Sequence, residues 1–100
     1  MINIESLKEY IGIIPEEKFM ELATKIYMIT DFICDDYPKY KEWFFTKQLQ
    51  GIINSDERNI LFVRNPKNDN EIISMVCLKK DKEEQKICTL YVSSKFRGLG

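Results

Sequence analysis

The residues with the clearest chemical meaning stand together at one end of the sequence. Arg97, Gly98, Leu99 and Gly100 follow the β-prone run Lys86–Val92 and a short polar connector, Ser93-Ser94-Lys95-Phe96. Glycine has no Cβ, so it accepts φ > 0 and lets a ligand approach the backbone closely. Closely spaced glycines after a strand can turn successive N–H groups toward one point, forming an anion nest. A helix opening directly after such a loop adds free N–H groups and a favourable dipole. Pyrophosphate suits this cradle, with Arg97 making a charged contact or bracing the loop. On spacing alone, Gly98 and Gly100 fit a plain turn equally well.

Other chemistries find fewer residues. The sequence contains no histidine, which removes Ser-His-Asp and Cys-His catalysis within these residues. Cys34, Cys77 and Cys88 are odd in number, widely spaced and set among apolar residues, with no CxxC pair. They read as small buried hydrophobes; a disulfide or a zinc site is the alternative, and no metal site is assigned. Fifteen basic and sixteen acidic side chains give a formal net charge of -1. A broad nucleic-acid footprint needs a basic excess, so nucleic acid is not an expected partner. A narrower reading places stacked bases on Tyr37, Tyr40 and Trp43 between Lys39, Lys41 and Lys47.

The residues 1–100 are expected to form a single, partial domain. Met1-Ile2-Asn3-Ile4-Glu5 lacks the basic and apolar regions of a signal peptide. No run of about 18 apolar residues is present to span a membrane. The expectation is a cytoplasmic protein without a membrane partner.

The elements that must position the loop follow from periodicity. Ile2 and Ile4 alternate with polar neighbours, as in a short edge strand, and Ser6-Leu7-Lys8-Glu9 matches a capping box ahead of a short helix ending at Gly12. Pro15, Glu16 and Glu17 suit a helix start, and Phe19, Leu22, Ala23, Ile26, Ile29 and Ile33 continue one apolar face, predicting a helix over 16–34. Asp35-Asp36-Tyr37-Pro38 breaks it, with Asp35 or Asp36 as the next cap. A second helix is predicted over 38–53, its last turn weakened by Gly51. Trp43-Phe44-Phe45 within it either packs against both a sheet and the first helix, or lends a ring to a cleft or subunit contact.

Beyond the polar connector 54–58 the period changes to that of strands: 59–64, 71–79 and 86–92, joined by the turn-rich segment 65–70 and a charged reversal at 81–85. The charge run from Lys79 to Lys86 reads as a solvated hairpin tip. The expected fold class is α+β, two helices on a three-stranded antiparallel meander followed by the glycine loop.

Residues 88–100, Cys-Thr-Leu-Tyr-Val-Ser-Ser-Lys-Phe-Arg-Gly-Leu-Gly, resemble the start of motif A of the GNAT family of N-acetyltransferases. That motif joins a strand ending in an apolar-x-Val step to a loop of the form Arg/Gln-x-x-Gly-x-Gly/Ala; Arg97 and Gly100 fill its first and fourth places. The helix-helix-meander order is also similar to that family's. The resemblance implies an enzyme that moves the acetyl group of acetyl-CoA, its co-substrate, to an amine on a small molecule or peptide. It implies pyrophosphate binding by Arg97, Gly98, Leu99 and Gly100, and binding of the pantetheine arm and acetyl carbonyl by backbone groups of Leu90, Tyr91 and Val92. It further implies that the motif's last two places, the helix behind it and the later strands lie past Gly100.

This sequence departs from the family pattern in one respect that matters. Many members carry a glutamate base on this strand, where the present residues read Ile87-Cys88-Thr89-Leu90. Tyr91 is a stand-in acid or a sheet-packing residue, and no catalytic residue is assigned. The alternative function, drawn from the terminal strand's open edge, is a non-catalytic interaction module that forms a homodimer through that strand.

Overall fold

Pro15 opens the first helix. Its backbone is extended (φ -57°, ψ 149°) and forms the N-cap of α1, Glu16–Met28. Glu16 and Glu17 set carboxylates in the first turn, beside the positive end of the helix dipole. Phe19, Leu22, Ala23, Ile26 and Tyr27 are buried along one face. The computed structural model describes residues 3–81 and 84–93.

α1 stops well short of residue 34, and Asp31–Asp35 form a 3-10 turn instead. The fully buried Thr30 shows why the helix can end there. Its backbone N–H and its hydroxyl both donate to the Tyr27 carbonyl at 2.8 Å, closing the helix end with two bonds to one acceptor. The second helical stretch is also more broken than its periodicity suggests. It runs as α2 (Tyr40–Trp43), a π turn (Phe44–Gln48) and α3 (Leu49–Asn54), without interruption. Neither Asp35 nor Asp36 caps α2; its N-cap is Lys39, with no side-chain bond. The wide turn answers the problem of three consecutive aromatics. Phe44 enters the core, while Trp43 and Phe45 lie half-buried on either flank. Burying the Phe44 ring contributes about 1.5–3 kcal/mol.

The sheet has four antiparallel strands rather than three: β1 (Ile4–Ser6), β2 (Arg58–Asn65), β3 (Asn68–Asp81) and β4 (Glu84–Val92), in the order β1-β2-β3-β4. The added strand pairs Ile4 with Val63 and Ser6 with Leu61. It also displaces the capping box. Ser6 is extended and its hydroxyl accepts from Asn59 Nδ2 at 2.8 Å, so it makes no cap bond to the 3-10 turn Leu7–Tyr10 that follows. Gly12, at φ 81°, supplies the left-handed residue that turns the chain toward α1. Strand pairing runs into the charged stretch, through Lys80 opposite Gln85 and Asp81 opposite Glu84.

The helices cover one face of this sheet. Ile60, Phe62, Met75 and Cys77 rise from it to meet Ile26, Phe44 and Ile52 in one buried cluster. A polar clamp fixes helix to sheet. Gln48 is fully buried, and its Nε2 donates to the carbonyls of Asn59 (2.8 Å) and Leu78 (3.2 Å), which face each other across β2 and β3. Arg58 returns a bond to Gln48 Oε1 at 2.7 Å and lies 5.7 Å over the Trp43 ring.

Gly51 gives Arg58 its path. A Cβ there would stand 2.6 Å from Arg58 Cδ and 3.0 Å from Cγ. At an open helical site glycine-to-alanine gains up to about 1 kcal/mol. Here Gly51→Ala is expected to lose about 1 kcal/mol or more, because the arginine must leave Gln48 and Trp43. A urea midpoint that falls at unchanged slope checks this; a raised midpoint refutes it.

Candidate functional site

β4 carries Leu90, Tyr91 and Val92, the strand residues for which the motif resemblance implies cofactor contacts, and its pairing is irregular just before them. Cys77 faces Thr89 across β3 and β4, whereas the next residue, Leu78, faces Ile87. Cys88 is therefore an extra residue, a β-bulge. Bulges interrupt the ladder locally and re-aim the strand. Beyond it Leu90 pairs with Val76, Tyr91 with Met75 and Val92 with Ser74. By register, Thr89 and Tyr91 lie on the helix-covered face, and Leu90 and Val92 on the other. The Tyr91 ring packs 5.5 Å from that of Phe32. Arg97, Gly98, Leu99 and Gly100 lie outside the described residues, so only Leu90, Tyr91 and Val92 of the predicted set have a place in the structure.

A cleft of about 690 Å³ opens beside the bulge. One wall comes from the break between the helices: Ile33, Asp36, Tyr37, Pro38 and Lys39, continuing to Tyr40 and Trp43. The other is the edge of β4 at Cys88, Thr89 and Leu90. Tyr37 is largely exposed, Trp43 half-buried and Tyr40 buried at the floor. The proline break is what makes this wall. It follows the 3-10 turn Asp31–Asp35 and leads the chain past the edge of β4 before α2 begins.

The floor is a hydrogen-bonded series. Thr30 gives its only hydroxyl proton to the Tyr27 carbonyl, so the Tyr40 hydroxyl, 2.8 Å from Thr30 Oγ1, is the donor of that pair. Burial raises the pKa of Tyr40 above its ordinary value, opposed by the hydroxyls of Thr30 and Thr89. Behind it, burial and the Asp31 carboxylate hold Tyr27 firmly protonated, and Tyr27 donates to that carboxylate. The rings of Tyr27, Tyr40 and Trp43 stack in sequence, each pair 5.8 Å apart. One wall of the cleft is thus a rigid aromatic column.

The cysteines do not behave alike. Cys77 is buried and Cys34 half-buried, but Cys88 is exposed, because the bulge sets it at the cleft's edge; all three are free thiols. Among the described residues no group of three or more His, Cys, Asp or Glu side chains is placed to hold a metal ion. Asp36 and Thr89 were not singled out from sequence as site residues. The Asp35–Pro38 helix break was the available signal, but it gave only a cap for Asp36.

No family model matches the chain, and neither a curated protein nor a solved structure does. Among the described residues no helix is long and apolar enough to cross a membrane.

Burial pushes the Cys77 thiol up to about 12. A raised folded-state pKa favours the neutral thiol, so its stabilisation is complete below pH 9.0 and disappears as pH rises toward about 12. Cys77→Ala should flatten the fall in stability over that window. In native protein held below that window, iodoacetamide followed by mass mapping should label Cys88 well ahead of Cys77. Equal labelling rates would contradict the assigned burial.

Proposed function

We propose that these residues form the strand-and-cleft half of an N-acetyltransferase site of the GNAT type, with acetyl-CoA as co-substrate and an amine as acceptor. The supporting observation is a juxtaposition. The apolar cleft borders β4 at Cys88–Leu90, directly beside the residues that the motif resemblance assigns to the acetyl and pantetheine groups. A bulge at Cys88 suits that assignment, because it interrupts the ladder where a ligand would need backbone partners.

In this reading the acceptor nitrogen enters from the cleft and attacks the thioester carbonyl. A C–N bond forms, the C–S bond breaks, and CoA leaves as its thiol. The proton lost by the amine passes through a base to the departing CoA sulfur. The protein's part is alignment, together with a strand N–H directed at the developing oxyanion. The test is a titration of ¹⁵N-labelled protein with acetyl-CoA to millimolar concentration. The amides of Leu90, Tyr91, Val92 and Arg97–Gly100 should shift together, while those of α1 stay fixed. Unmoved β4 and loop amides would overturn the proposal.

A second reading is favoured by one feature of β4. It is an edge strand among the described residues, and Ile87 and Leu90 are 63% and 65% exposed on it. Edge strands of this kind template pairing with a second copy. On this reading the protein is a homodimer through β4, and light scattering shows a dimer whose dissociation follows Leu90→Lys. A monomer at high concentration excludes it.

A further inference from the structure

We propose that the cleft beside β4 selects an amine with a single positive charge on an aromatic or apolar body, the arylalkylamine class. This names the acceptor for the transferase reading, on which its catalytic meaning rests.

Three observations carry it. The first is size and surface. A space of about 690 Å³ is on the scale of one small molecule. Its walls are the Tyr40–Trp43 stack, Tyr37, Pro38 and Ile33, faces that favour a flat or apolar body.

The second is charge. Asp36 is the one carboxylate among the lining residues, and it is exposed. It provides one ion-pairing position for an ammonium. The lining offers no second carboxylate, and Lys39 adds a positive charge of its own, so a second ammonium has no partner there. A polyamine, whose charges repeat along its length, finds one favourable contact and one unfavourable one.

The third is the state of the hydroxyls. Tyr40 donates to Thr30, and Thr89 faces Tyr40 from the strand. These polar groups at the floor are engaged within the protein. An aminosugar laid on the stacked faces of Tyr40 and Trp43 would lose water from the hydroxyls facing them without gaining partners there, which is costly. An apolar ring bears no such cost.

Trp43 is the chain's only tryptophan, so intrinsic fluorescence reads the cleft directly. The full chain is titrated with phenethylamine, phenethyl alcohol, 3-phenylpropionate and spermidine. Phenethylamine should give a saturable change and bind more tightly than any of the other three, by up to about fivefold over phenethyl alcohol, the value of one exposed ion pair. Asp36→Asn should weaken phenethylamine by up to about fivefold and leave phenethyl alcohol unchanged. Asp36 is exposed and outside the core, so this variant should fold; an unaltered circular dichroism spectrum confirms it.

Spermidine binding as tightly as phenethylamine would overturn the proposal. So would an absence of saturation, or an Asp36→Asn variant with unchanged affinity. The acetyl-CoA titration separates the two readings. Phenethylamine bound without any acetyl-CoA response leaves the cleft's selectivity standing and removes the transferase. An acetyl-CoA response without phenethylamine binding does the reverse.

Discussion

A buried amide holds this protein together. Gln48 lies fully inside, where an unpaired polar group would cost on the order of 1–3 kcal/mol. Its Nε2 answers two carbonyls of neighbouring strands and its Oε1 accepts from Arg58. Apolar contacts can slide; three directional bonds cannot. The amide therefore fixes where the second helical stretch sits along β2 and β3. Everything near the cleft depends on that placement. Trp43 is held under Arg58, Tyr40 stacks on Trp43, and the strand edge at Thr89 closes the other side.

The π turn at Phe44–Gln48 is the means by which the amide arrives. π turns are rare and gather at functional sites. The wider turn brings Gln48 to the sheet while Phe44 keeps its place in the core. It also leaves Trp43 and Phe45 on the two sides, one toward the cleft and one against Tyr27 at 5.2 Å. Stability and binding surface come from one local irregularity.

How much of this could be read from the residues depends on whether the signal was local. Pro15 and the spacing from Phe19 to Ile26 announce α1 directly, and the alternating runs announce β2, β3 and β4. α1's end was missed because Ile29 and Ile33 keep the apolar spacing, whereas the helix closes on a buried hydroxyl at Thr30. β1 is three residues long and exists through its pairing with β2, some 55 positions away, so only Ile4's alternation hinted at it. The capping box at Ser6 matched a local pattern and yielded to a tertiary bond with Asn59. Gln48 escaped notice because hydrophobic periodicity passes over a polar residue on a buried face. Of the candidate site, β4 and an aromatic of Trp43-Phe44-Phe45 at a cleft were legible, and the rest of the cleft was not, since its walls meet only when the Asp35–Pro38 break is folded over β4.

The bulge at Cys88 has one more consequence. In an unbroken strand Ile87 and Leu90, three positions apart, would point to opposite faces. With Cys88 inserted they fall on the same side, opposite Leu78 and Val76. Parity is thus reset once along β4, and the two halves of the strand are locked in phase by a count of residues. Deleting Cys88 would close the ladder and leave Ile87 and Leu90 on the same side, so the extra residue interrupts the pairing once without disturbing the two faces.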